Sequence, residues 1–164
     1  MRTKRPKAGA AGLIGALALT GFAAEAAMNP PDFVRRRSEE VRWTPQPDSP
    51  GVEHAVLAGD LRRPGLYVIR VKFPPHVMDR PHWHPNDRYV TVLKGTWWTG
   101  TGERFDPEHA VPLGPGGWMI HPAKAVHWDG SRSDEEVIVQ ITGMGPAETT
   151  PVDPKQPFWV KVGG

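Results

Sequence analysis

Polar and apolar residues alternate along several short stretches of the 164-residue chain, with turn-forming residues between them. In LYVIRVKF, Tyr67, Ile69, Val71 and Phe73 fall on one side of an extended backbone, and Arg70 and Lys72 on the other. Successive side chains of a strand point to opposite faces, so this spacing predicts a strand with one buried and one solvated face. RYVTVLKGTWW, GGWMIHP and EEVIVQITG repeat the theme, and PFWVKVGG supplies a last strand. No stretch from Val52 onward keeps the period of an amphipathic helix. Eighteen of the 19 prolines lie beyond residue 26, and proline breaks helices. The predicted fold class is therefore all-β, a sandwich or barrel over residues 52–164. Trp83, Trp97, Trp98, Trp118 and Trp128 lie within or beside the strands, where large aromatics are expected to fill the core.

The chain ahead of these strands reads differently. Residues 1–26 join a basic start (Arg2, Lys4, Arg5, Lys7) to an apolar run from Ala8 to Ala24, and Ala24-Glu25-Ala26 offers small residues at a cleavage site. That is the pattern of a secretory signal peptide, so a periplasmic or secreted protein is expected, with no membrane attachment once the signal is cleaved. The apolar run is short and interrupted by glycine, which disfavours a spanning helix of about 20 residues. Residues 27–51 hold Pro30, Pro31, Pro45, Pro47 and Pro50 among polar residues. They are expected to form an extended arm that either assists a homodimer or is a loose lead-in.

Charge then removes one class of partner. The whole chain has a net charge of +2, but residues 1–26 carry four of its 20 basic residues and one of its 18 acidic ones. Residues 27–164 hold 16 against 17, a net charge near −1, so no nucleic-acid partner is expected. Arg35-Arg36-Arg37 runs directly toward Glu39 and Glu40, a self-neutralising stretch. With no cysteine, thiolate metal sites and cysteine nucleophiles are excluded.

Histidines carry the candidate chemistry. His82 and His84 stand at i and i+2, so on an extended segment both rings leave the same face and can converge on one ion. A second segment, GPGGWMIHPAKAVHWDG, adds His121 and His127. His121 is a candidate spare ligand or acid–base group, although a histidine just before a proline at a strand end is more often exposed. Gln140, on the last long strand, is a candidate ligand contact in a pocket, with burial against backbone partners an equal alternative.

Together the two segments resemble the paired motifs of the cupin superfamily, small jelly-roll or double-stranded β-helix barrels. The first motif is glycine, five residues, His-x-His, three or four residues, glutamate, six residues, glycine. His82, His84 and Gly95 match it, while His76 stands at the first glycine and Arg88 at the glutamate. The second is glycine, five residues, Pro-x-Gly, two residues, histidine, three residues, asparagine. Gly116, Pro122 and His127 match; Lys124 replaces the middle glycine and Ser131 the asparagine.

The resemblance implies a cupin barrel with a divalent metal (Fe, Mn, Zn or Ni) held by His82, His84 and His127, and a small-molecule ligand. It also implies a metal-dependent oxidoreductase of dioxygenase type or an isomerase, though the superfamily also houses storage and sensor proteins. Arg88 complicates this picture. A guanidinium about 5 Å from a dication is repelled by about 6 to 7 kcal/mol at an effective dielectric of about 20. Three outcomes are open: Arg88 reaches away to Asp87 or Asp129 and three histidines hold a metal; no metal binds and Arg88 anchors a small anion; or Arg88 faces solvent on a non-catalytic structural barrel.

Overall fold

The computed structural model describes residues 33–163. Residues 1–26, the expected signal peptide, and the start of the expected arm lie outside the described residues. Residues 33–35 belong to an N-terminal unit, in which the Arg35 guanidinium lies 5.3 Å from the Phe33 ring centre. The second unit, from Arg36 on, holds all the described β structure.

Its strands run in chain order β1 (Thr44–Pro45), β2 (Glu53–Ala58), β3 (Gly65–Phe73), β4 (Val77–Asp79), β5 (His82–Trp83) and β6 (Arg88–Lys94). There follow β7 (Trp97–Thr101), β8 (Val111–Leu113), β9 (Trp118–His121), β10 (His127–Gly130), β11 (Val137–Gly145), β12 (Thr150–Pro151) and β13 (Trp159–Lys161). Two antiparallel sheets result. One has the order β1-β2-β3-β11-β6-β9; the other runs β12-β5-β10-β4-β13, with β7 paired to β10 and β8 to β7. Among the described residues the only helices are three-residue 3₁₀ turns at Ser38–Glu40 and Pro107–His109. In the first, Arg37 pairs with Glu39 and Glu40, the local neutralisation the sequence suggests.

The sheets meet through one face of each. β3 and β11 pair along nine residues from Gly65–Gly145 to Phe73–Val137. That register sets Tyr67, Ile69, Val71 and Phe73 beside Val137, Val139 and Ile141, with Val90 and Val92 of β6 next to them. Val77 and Trp97 close this cluster from the second sheet. Each fully buried aliphatic or aromatic side chain contributes about 1.5–3 kcal/mol. A smaller cluster of Met78, Ala110 and Trp128 lies on the other side of the second sheet. Trp97 and Trp128 are core residues as expected. Trp118 is not: alternation turns Met119 and His121 of β9 inward, so Trp118 points outward, 55% exposed, stacked on Tyr89.

Turn geometry follows the two motifs. Gly95 (φ 70°) and Gly116 (φ 83°) occupy the left-handed region that glycine enters without steric cost. His76 (φ 59°) and Lys124 (φ 63°), which stand where the motifs have glycine, keep the same left-handed backbone. Ser131, at the asparagine position, is fully buried and its Oγ–H reaches the Glu135 carbonyl at 2.7 Å. The end of the arm folds back on its own barrel. Thr44 and Pro45 pair with His54 and Glu53, and the Gln46 N–H donates to the Val52 carbonyl at 2.8 Å.

Candidate metal centre

β5 runs straight into His84, and alternation sends His82 and His84 to the inner face with Trp83 between them. β10 pairs with β5 at His127–His82, which brings the third imidazole alongside. Ring centres are 4.8 Å apart for His82–His84, 4.4 Å for His82–His127 and 5.1 Å for His84–His127. One potential ligand atom from each of the three lies within 4.8 Å of the others, and all three side chains are buried.

Backbone carbonyls fix the tautomers. Nδ1–H of His82 donates to Arg80 O (2.8 Å), that of His84 to Glu148 O (2.7 Å) and that of His127 to Ala125 O (2.9 Å). Each Nε2 therefore keeps its lone pair, the arrangement by which metal-binding histidines are oriented. His127 Nε2 is buried without a partner. Burial, together with the positive charge of Arg88 nearby, depresses the imidazole pKa values to about 3 for His82, about 2 for His84 and about 4 for His127. For His82, the neighbouring His127 adds to this effect. All three are neutral at neutral pH, as ligation requires.

Arg88 follows none of the excursions the sequence left open. It begins β6 on the same face as the buried Val90 and Val92, so it points inward and not to solvent. Nor does it reach Asp87, which accepts the Ala123 N–H, or Asp129, which accepts the Trp97 Nε1–H. Its Nε–H donates to the Tyr67 hydroxyl at 3.0 Å and Nη1 to His84 Nε2 at 2.5 Å. A 3.3 Å approach of Nη1 to His84 Nδ1 is no separate bond, since that proton is committed to Glu148. Among the described residues the guanidinium forms no ion pair. It occupies the lone pair that His84 would offer an ion.

His121 is buried, against the exposed alternative, because β9 pairs with β6 at Arg88–His121 and both side chains enter the cavity. Its ring lies 3.6 Å from that of His127, and neither of its nitrogens has a partner. Burial first, then the neighbouring His127 imidazole and the Arg88 guanidinium, pushes its pKa far down. Gln140 corrects the expectation. Val139 and Ile141 of β11 face inward, so Gln140 faces out, where its Oε1 accepts from Arg70 Nε at 3.3 Å. The period-2 pattern of VIVQI already implied this placement.

Two buried carboxyls join the site: Asp79, which the sequence reading did not name, and Asp129, which it named only as a partner for Arg88. Asp129 lies two residues past His127 on the same face, a signal alternation makes readable; Asp79, at the end of β4, has no comparable signal. Asp79 Oδ1 accepts the Asp129 N–H at 2.6 Å and Asp129 Oδ1 the Trp97 Nε1–H at 2.8 Å. Burial pushes both pKa values up, and for Asp79 the neighbouring Asp129 adds to the effect. Gln46 of the arm also lines the cavity, as do Thr149, Phe158 and Trp159.

The cavity measures about 310 Å³, the small end of ligand pockets. Its walls combine Ile69, Val71 and Ile141 with the imidazoles, Arg88 and the two carboxyls.

The same architecture occurs in other solved structures. The polyketide cyclase RemF of Streptomyces resistomycificus superposes with a TM-score of 0.62 at 15% identity, over 77% of this chain and 89% of that one. A cupin-2 domain of Rhodospirillum rubrum gives 0.58 at 14%, over 77% and 85%. A sugar phosphate isomerase of the cupin superfamily from Silicibacter pomeroyi gives 0.55 at 17%, over 68% and 76%. At such identities the likeness concerns the fold alone, and no curated protein matches the chain. The family model described as Cupin matches residues 56–161, most of the chain and all of the histidine cluster, and the protein therefore belongs to the cupin family.

Proposed function

We propose that this cupin holds a divalent transition metal through His82, His84 and His127 and there handles a small organic anion whose charge is met by Arg88. One observation carries the metal: three neutral imidazoles, each tied through Nδ1–H to a backbone carbonyl, gather potential ligand atoms within 4.8 Å in a buried cavity. Bound there, Fe, Mn, Zn or Ni supplies Lewis-acid or, for iron, redox chemistry. Arg88 carries the anion. It is a half-buried cation without an ion pair among the described residues, and Tyr67 steadies its guanidinium from behind. Release of His84 by Arg88 frees the third ligand, and an incoming carboxylate or phosphate gives the guanidinium a better partner. Metal and anion are therefore expected to strengthen each other's binding.

A metal-dependent oxidoreductase or isomerase fits this arrangement, and the fold's neighbours include a cyclase and an isomerase. The fold does not choose the reaction. The bond between Arg88 and His84 favours a second reading, a metal-free anion-binding protein. We further propose export after cleavage of residues 1–26, to be checked by N-terminal sequencing of the mature chain.

Elemental mass spectrometry of untagged protein, beside His127→Ala and Arg88→Glu, tests the metal. Near-stoichiometric metal in the wild type, lost in His127→Ala, is the expected result. Metal absent from the wild type and from Arg88→Glu overturns it. Retained anion binding in chelator, lost in Arg88→Glu, would establish the second reading.

A further inference from the structure

We infer that His121, His127 and Asp129 form a second position for the divalent ion, in which Asp129 supplies the negative charge that the three-histidine set lacks. The inference rests on the reading that the chain binds a metal. A potential ligand atom from each of these three residues lies within 4.8 Å of the others, and all three side chains are buried.

Unpartnered atoms point to this position. Both ring nitrogens of His121, which is only 3% exposed, lack a hydrogen bond, as does His127 Nε2. Buried nitrogens left unpaired are destabilising, and a leucine would fill the same space at the end of β9 without that cost. A neutral imidazole carries one lone pair, so His121 and His127 each have one such nitrogen to offer, on adjacent rings beside a carboxylate, and a cation would satisfy both. In the first set, by contrast, His84 Nε2 is already engaged by Arg88. Trp97 holds Oδ1 of Asp129, and among the described residues Oδ2 accepts no hydrogen bond. The Asp129 carboxylate attracts a dication that the Arg88 guanidinium repels.

His127 belongs to both sets and its Nε2 has one lone pair, so the two positions exclude each other. The chain binds one ion, with His127 as a pivot. Arg88 blocks the first position until it releases His84; the second is open throughout.

Calorimetric titration of chelator-stripped full chain with Zn²⁺ tests this, using wild type, His84→Ala, His121→Leu and Asp129→Asn. Thermal unfolding of each metal-free variant serves as the folding check. Wild type is expected to bind one ion per chain, and His121→Leu and Asp129→Asn to weaken binding at least tenfold, with His84→Ala within about threefold. Metal-free His121→Leu is expected to be at least as stable as wild type, so its loss of zinc cannot be a loss of fold. If Asp129→Asn does not fold, His121→Leu decides alone. Wild-type affinity in both His121→Leu and Asp129→Asn, with at least tenfold loss in His84→Ala, overturns the second position and leaves the three-histidine centre standing. No zinc binding by the wild type overturns both.

Discussion

The side chain that most sets the character of this cavity is Arg88, and its behaviour depends on Tyr67. The Tyr67 hydroxyl, buried between the sheets, accepts the Nε–H and holds the guanidinium over His84. Tyr67→Phe removes that acceptor and leaves a charged donor short of a partner. A loss of about 1–2 kcal/mol is expected in urea unfolding. Lys124 offers the opposite sign. It is exposed and held at φ 63°, where a Cβ is strained and glycine is not. Lys124→Gly is expected to gain about 0.5–1 kcal/mol, read as a rise in the unfolding midpoint. At this scale the sequence was legible where alternation spoke. It placed His82 and His84 on one face, and its rule also places Asp129 with His127 and Gln140 outside. The partners of Arg88 were not legible, because a long side chain can take many directions and its hydrogen-bond acceptors come from distant strands.

Among the elements, the pairing of β7 with β10 is tightly constrained by a glycine. A Cβ built on Gly100 would fall 2.0 Å from the Trp128 ring, so the indole lies flat where β7 has no side chain. Gly100→Ala must displace Trp128 or part the strands. It is expected to destabilise by about 3 kcal/mol, the upper end for overpacking, and to disturb His127 one residue away. Differential scanning calorimetry with metal titration would register both effects. The long strands β3, β6 and β11 could be read from their alternation. β1 and β12 could not, since two-residue strands carrying Pro45 and Pro151 have no period to read and prolines count against them.

Over the whole molecule, the buried titratable groups give stability an unusual pH dependence. Four imidazoles have folded pKa values below their ordinary value of about 6.5, so the unfolded chain binds protons that the folded chain refuses. Their stabilisation is complete above pH about 6.5 and is lost as pH falls toward about 4 for His127 and about 3 for His82, at up to about 1.4 kcal/mol per pH unit for each group. Asp79 and Asp129, raised in the folded state, act in the reverse sense and favour the fold as pH falls toward about 4. Four groups outweigh two. The metal-free protein is expected to melt at progressively lower temperature from pH 6.5 to 4, and His121→Leu to flatten that slope in a pH series of melting curves.

One wall of the cavity comes from outside the barrel's main strands. Gln46 follows a two-residue strand that pairs only at the sheet's edge, far in sequence from the imidazoles of the cluster. Substitutions there can reshape what fits against the imidazoles and Arg88 without touching either or a core contact. Lineages carrying this barrel could thus change the shape of the cavity by drift in the arm, while the histidine cluster stays under separate selection.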